Sequence, residues 1–324
     1  MSTLTTTEPP PPLAPPPALG RRSSLGDRAF RVGALACGLT VLAILALIAV
    51  ATTREAWPAV SDQGLSFFTS RRWAPSVEIY GSLAFVYGTM VTALIGLALA
   101  VPVSVGIALF LSDVAPRRLR RPVGALVDLL AAVPSVVYGF WGVTVLAPAI
   151  VPVYDLISDL TSPIPVLSTL FAGPSTGRGL FTAGIILALM ITPIITSITR
   201  EVFDTVPGAQ KEAAYALGAT RWEMIRAAIF PHSRAGMVGA VMLGLGRAMG
   251  ETIAAALVIG SSPQITANLF ASGDSMAAVI ANQFGEAGGL HRSALIGLGV
   301  QLFLLTIVVN MAARVIVARS GKYR

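Results

Sequence analysis

The sequence predicts an all-α integral membrane protein with six transmembrane helices and both termini cytoplasmic. Three observations carry that expectation. The 324 residues are 54% hydrophobic and only 12% charged, with a mean hydropathy of +0.75, whereas a soluble domain carries about 25% charged residues. Six apolar runs each approach the ~20 residues that span a bilayer. Lysine and arginine, 23 in all, concentrate in alternate connecting segments. A net charge of +7 does not point to nucleic acid, because these charges sit in short loops between apolar runs; the partner they imply is membrane lipid.

Residues 1–33 are rich in Thr and Pro, with Pro9–Pro12 and Pro15–Pro17, and read as a disordered cytoplasmic tail with polyproline character. The spans fall at Ala34–Ala51, Ser82–Leu111, Val123–Val151, Gly179–Thr199, Gly236–Gly260 and Ala294–Ala318. They form a membrane domain over residues 34–318, with a short cytoplasmic tail over residues 319–324. Ala49-Val50-Ala51 resembles a signal-peptide cleavage site, but the segment ahead of it is too long for a usual n-region, so a retained helix is expected. Counting Lys and Arg with the N-terminus inside places 17 on the inner segments, five on the outer ones and Arg247 alone in the membrane. Both ends are therefore expected in the cytoplasm.

Pro102, Pro134, Pro148 and Pro193 interrupt the spans, and broken backbone at membrane depth is tolerated where it is packed in protein or lines a cavity. Ser135 and Tyr138 beside Pro134, and Thr192 and Thr196 around Pro193, are candidate cavity-lining groups; hydrogen bonding to their own or a neighbouring helix is the alternative. Trp57, Trp73 and Trp141 read as interfacial anchors. The fifth run holds Gly236, Gly239, Gly244, Gly246 and Gly250, a close-approach surface with Gly246 and Gly250 as a small-xxx-small pair. A single cysteine, Cys37, excludes an intramolecular disulfide, and with two histidines no metal site is expected.

The fifth run also carries Arg247 and Glu251 near its middle. A charge at that depth costs roughly 2.5–3.5 kcal/mol on insertion scales, so such groups face a cavity or one another. In a continuous helix a spacing of four puts both on one face. Two readings follow: a self-neutralising ion pair, or an anion-contacting pair in a transport path, where the arginine fork fits phosphate or carboxylate.

The segment Arg200–Arg234 is too polar to span. Ala209–Leu217 suits a short helix with Gly218 as its C-cap, and Arg221–Ile229 a second one. The run Glu212-Ala213-Ala214, then Gly218, then Pro231, resembles the EAA loop of permease subunits of ABC importers, though Ala228 and Phe230 stand where Ile and Leu are usual. Gly64–Ser70 with Trp73 and Pro75, Tyr87-Gly88-Thr89, Ala132–Gly139 and Gly244–Thr252 narrow the resemblance to phosphate permeases of the PstC type, over roughly residues 30–320.

That resemblance implies a type I ABC importer permease (MetI-like) core in helices 2–6. It further implies a transport subunit that is not itself an enzyme. Glu212, Ala213, Ala214, Gly218 and Pro231 would couple it to a dimeric ATP-binding subunit (PstB-like). A second permease (PstA-like) and an extracytoplasmic phosphate-binding protein (PstS-like) complete the implied assembly, and Arg247 and Glu251 are the charged residues implied in phosphate transport. No G-x-x-x-x-G-K-[ST] phosphate loop occurs, so no cofactor is expected in this chain; ATP and Mg would belong to the partner ATPase. The loop Pro152–Arg178 reads as a lid or a contact for the binding protein. Alternatives are a permease for sulfate, molybdate or phosphonate, a stand-alone secondary transporter, which would show inverted repeats with paired broken helices, and a membrane sensor or scaffold built on the same fold.

Overall fold

The computed structural model describes residues 25–320, and residues 1–24 and 321–324 lie outside the described residues. Among the described residues fourteen α-helices follow one another: α1 (Leu25–Gln63), α2 (Ser66–Thr69), α3 (Leu83–Leu109), α4 (Arg117–Ala132), α5 (Ser135–Trp141), α6 (Ala147–Thr161), α7 (Pro165–Leu170), α8 (Leu180–Asp204), α9 (Gly208–Ala216), α10 (Arg221–Met224), α11 (Phe230–Met249), α12 (Ile253–Val258), α13 (Met276–Gln283) and α14 (Gly289–Ser320). A two-residue antiparallel pair, β1 (Trp73–Ala74) with β2 (Ile79–Tyr80), sits between α2 and α3. The chain divides into two compact units at Val50 and Ala51. In the first, the helix exposes Leu35, Leu39, Leu42 and Leu47, the all-round apolar surface of a helix that faces lipid.

Five helical stretches among the described residues are long and apolar enough to span: Gly26–Gln63, Leu83–Val114, Ser135–Thr161, Leu180–Asp204 and Gly289–Val315. Three sequence-based boundaries change. Helix α1 begins at Leu25, so residues 25–33, assigned above to the tail, are helical; the Pro-rich part of that tail lies outside the described residues. The third run is cut at Val133, which is extended (φ −65°, ψ 128°) because a residue followed by proline avoids the α region. Its first half is the separate amphipathic helix α4, and the span starts at Ser135 and continues past Pro152 to Thr161. The segment expected to be the Pro152–Arg178 loop therefore begins as helix and holds α7 as well. The fifth run is not one helix: α11 stops at Met249 and α12 starts at Ile253.

The centre of the second unit is the packing of α3, α8 and α11. Ala93, Ala100, Leu187, Ile191, Ile195, Ala240 and Leu245 are buried together. Helices α3 and α8 run parallel: Ile95 meets Gly184, and further along Ser104 Oγ donates to the Thr192 carbonyl at 3.0 Å. Helix α11 runs antiparallel to α8, with Gly236 against Val202 and Gly244 against Ile195. A Cβ on Gly244 would lie 2.7 Å from Ile195 Cδ1, so these two glycines set how closely the helices approach.

Satellite cores flank this seam, one of them joining Leu180, Ile186 and Met190 of α8 to Ala254 and Val258 of α12. At one end Phe67, Tyr80, Phe85, Met276, Val279, Leu295 and Leu298 are buried. Trp73 belongs to this cluster rather than to an interfacial belt: it packs edge-on to Tyr80 and Phe85, and its Nε1 donates to Gln283 at 3.0 Å. Trp57, by contrast, is exposed. At the other end Ala108, Phe203, Val206, Met224, Ile225 and Ile229 form the base on which α9 and α10 rest. The short α12 is clamped: Gly179 N–H donates to the Val258 carbonyl at 3.0 Å and Gly273 N–H to Ile259 at 2.9 Å.

Candidate functional site

The break in the fifth run builds the site. Gly250 N–H donates to the Gly246 carbonyl at 3.3 Å and Glu251 N–H to Ala248 at 3.4 Å, so the helix tightens and ends there. Arg247 lies in the last turn of α11, exposed. Glu251 lies beyond the helix, buried, where its Oε1 accepts from the Ala254 N–H at 3.4 Å. The two therefore do not share a helical face, and the i,i+4 expectation is corrected. Lys211 pairs with Asp113 at 2.7 Å, whereas neither Arg247 nor Glu251 has an ion-pair partner within 4.0 Å among the described residues. The self-neutralising reading fails because Gly250 interrupts the spiral that would have aligned them. Glu251 instead covers the free Ala254 N–H in the first turn of α12.

Arg247 opens onto a groove of about 450 Å³ with Ile194, Met242, Leu243, Gly246 and Asn310. Met242, Leu243 and Asn310 also line an adjoining space of about 550 Å³ that reaches Gly239 and Arg314. Together they make one trough along α11 and α14, with a guanidinium at each end. The glycines of α11 sort by face: Gly236 and Gly244 are filled by α8, whereas Gly239 and Gly246 meet nothing within 4 Å. Gly246 and Gly250 do not act as a helix-packing pair, since Gly250 belongs to the break. The open stripe leaves room for a second helix.

The other candidate lining groups are not brought to Arg247. Tyr138 OH donates to the Leu130 carbonyl at 3.0 Å across the Pro134 break, and Thr192 Oγ1 to Ala188 at 2.7 Å. Thr196 is buried at 1% exposure with its hydroxyl unpartnered, and Ser135 is half-buried on α5. None of the four lines the Arg247 trough.

The loop after α8 has the geometry its spacing predicts. Helix α9 carries Glu212 and Ala213 on its exposed side, while Ala214 packs on the Phe203 cluster. Gly218 is left-handed at φ +82°, and its N–H donates to the Tyr215 carbonyl at 2.9 Å. Leu217 is 89% exposed, with Tyr215 and Trp222 exposed beside it: an apolar knob in a polar loop. The predicted second helix does not end at Ile229. A π turn, Phe230 N–H to the Ile225 carbonyl, carries it into α11, so the chain accommodates Pro231, which has no N–H to donate.

Several functional contacts escape sequence reading. Lys211 Nζ lies 2.7 Å from Asp113 Oδ1, tying α9 to the π turn that ends α3. A capping box starts α10: the Thr220 N–H donates to Glu223 Oε2 at 2.8 Å while the Thr220 hydroxyl accepts from the Glu223 N–H. The bonds that the Thr220 N–H and hydroxyl donate to Glu223 Oε2 lower this carboxyl's pKa from its ordinary value, and the Thr-x-x-Glu spacing was a visible signal. Tyr87-Gly88-Thr89 docks the segment before α13 onto α3. Tyr87 OH donates to the Thr266 carbonyl, a Cβ on Gly88 would lie 1.9 Å from the Asp274 carbonyl oxygen, and Thr89 Oγ1 accepts from the Met276 N–H at 3.0 Å. Asp274 is 4% exposed there, and burial pushes its carboxyl up to about 6 against the opposing bond from the Ser275 N–H.

Residues 100–322 match the binding-protein-dependent transport system inner membrane component family. The chain belongs to that family. It is 46% identical over 301 residues, 92% of each chain, to a phosphate transport system permease protein PstC of Mesorhizobium japonicum. The PstC of Haemophilus influenzae is 45% identical over 87% of this chain and 90% of its own, and PstC 2 of Mycobacterium tuberculosis 42% over 96% and 97%. Among solved structures, an ABC transporter that imports the polysaccharide alginate aligns with a TM-score of 0.54 at 18% identity, over 91% of this chain and 98% of that one. The MetNI methionine transporter aligns at 0.51 and 20%, over 74% and 94%. These two establish the fold: an ABC importer permease of the MetI type. The family is an inner membrane component, in keeping with the membrane-capable helices, and this chain is a transport subunit within it.

Proposed function

We propose that this chain is the permease subunit of an ATP-driven phosphate importer and that Arg247 is its phosphate contact. The single observation that carries the reading is an arginine at the end of a helix broken within the fifth apolar run. Among the described residues no carboxylate pairs with it, and it opens on a trough that they leave unfilled. A guanidinium in that position retains its donor fork for a phosphate oxygen, and one such contact grips an anion without trapping it. The relatives named for phosphate transport support phosphate as the cargo.

On this reading the open stripe of Gly239 and Gly246 receives a second, PstA-like permease, which closes the trough into a path. The knob of Tyr215, Leu217 and Trp222, with Glu212 and Ala213, seats in a PstB-like ATPase dimer that holds ATP and Mg. A PstS-like binding protein delivers phosphate on the opposite side, and both termini lie in the cytoplasm of a bacterial cell. Nucleotide binding biases the path toward the binding protein and hydrolysis returns it, a two-state element coupled at both ends. Glu251 acts on the path by holding the start of α12 rather than by gripping Arg247. Ser135, Tyr138, Thr192 and Thr196 join the path only in a state that frees their present bonds or packing.

The test is ATP-driven uptake of radiolabelled phosphate by vesicles carrying the four-component assembly, with sulfate, molybdate and a phosphonate as competitors. Arg247→Gln is expected to abolish uptake while the subunits still co-purify. Normal uptake by that variant, or stronger competition by another oxyanion, refutes the assignment.

A further inference from the structure

A second groove lined by arginines lies apart from the Arg247 trough. Arg120, Arg121 and Arg200 line one groove of about 390 Å³ between α4 and the last turns of α8, with Asp128 and Asp204. The groove is at the membrane boundary, since one candidate span ends at Asp204 and the span before it begins at Ser135. Orientation by positive charge asks only for a number of Lys and Arg near span ends; it does not ask that three arginines line one groove. Here they do, and two are held. Arg120 Nε donates to the Ala115 carbonyl at 3.0 Å, leaving its terminal nitrogens free to turn to the groove. Arg200 lies across α4 at Gly124, where a Cβ would come 2.4 Å from its Nη1.

None of the three is ion-paired within 4.0 Å among the described residues, although two carboxylates share the groove. Unmatched guanidinium forks fit phosphate oxygens. We propose that Arg120, Arg121 and Arg200 form a binding site for a phosphate group at the membrane boundary, separate from the transport path. The group belongs either to a phospholipid headgroup or to free inorganic phosphate. Two aspartates against three arginines leave one net positive charge in the groove, which suits the single charge of a phosphodiester.

The test uses the assembled transporter in maltoside detergent, every sample carrying Arg247→Gln to silence the path. One arm measures phosphatidylglycerol retained in native mass spectra, with diacylglycerol as the phosphate-free control. The other measures radiolabelled inorganic phosphate by equilibrium dialysis. Gly124→Ala displaces only the far end of the flexible Arg200 side chain, and Arg121→Gln removes an exposed charge. Each is expected to weaken binding about tenfold in one arm, the loss that follows from one charge-assisted hydrogen bond, and that arm identifies the source. Should Gly124→Ala fail to assemble, Arg121→Gln decides the matter alone. Equal binding by parent and variants in both arms overturns the site. Failure of phosphate uptake would refute the proposed function without touching these readouts.

Discussion

Lys211 on α9 is ion-paired to Asp113 in the turn that ends α3, at 2.7 Å. Their side chains are 22% and 11% exposed, so the pair is better sheltered than surface bridges, whose median worth is ~0–1 kcal/mol. It joins the loop proposed to meet the ATPase to the candidate span that contains α3. Lys211→Glu is expected to lower phosphate transported per ATP hydrolysed by several-fold, and adding Asp113→Lys to restore it. ATPase activity and uptake measured in the same vesicles check this; an unchanged ratio in the single variant would show that the pair does not transmit.

Gly218 is a backbone requirement of the same loop. Its φ of +82° costs an L-residue roughly 1–2 kcal/mol, although no atom lies within 4 Å of a Cβ there. Gly218→Val is therefore expected to leave the membrane bundle intact while misdirecting Leu217. Co-purification of the ATPase should fall, with little change in the thermal midpoint of the chain itself. Undiminished capture of the ATPase would mean that the loop docks without this turn.

Gly88 is a packing requirement. Any Cβ there lies 1.9 Å from backbone at Asp274, and backbone cannot swing aside as a side chain can. Gly88→Ala is expected to cost about 1–3 kcal/mol, as overpacking does, and to expose the segment between α12 and α13 to proteolysis. Wild-type resistance in limited digestion would refute that account of Tyr87-Gly88-Thr89.

Asp274 predicts a pH dependence of definite sign. Its carboxyl rises from 3.8 to about 6, so the folded state binds this proton more tightly than the unfolded state. Its contribution to stability is full below pH ~4 and is lost as pH rises through ~6, by at most about 3 kcal/mol. The thermal midpoint of the parent should thus fall, relative to Asp274→Asn, between pH 4.5 and 7. Parallel profiles for the two proteins would place the carboxyl's titration elsewhere.

The membrane class, the helical fold and the loop at Glu212–Gly218 were legible because they rest on local quantities: hydropathy over ~20 residues, a glycine after a short helix, and charge counts between spans. The split of the fifth run was not. Apolar residues continue through Gly250, and hydropathy does not distinguish a helix that ends from one that proceeds. The pairing of Arg247 with Glu251 was a consequence of assuming continuity, and it disappeared with the assumption. Lys211 and Asp113, far apart in the chain, meet only because α3 and α8 run side by side. Trp73 looked like an anchor since nothing local announces that Tyr80, Phe85 and Gln283 will surround it.

The continuity of α10, the π turn and α11 has one further consequence. From Arg221 to Met249 the chain forms a single rod about 43 Å long at 1.5 Å per residue, rising from the capping box at Thr220 to the break at Gly250. Its far end packs through Ala248 and Met249 into the core shared with α3 and α8, while α12 is bolted to the start of α8 through Gly179 and Val258. A displacement at the base of this rod is thus carried along it to Arg247, within the fifth apolar run, and the break at Gly250 separates it from α12.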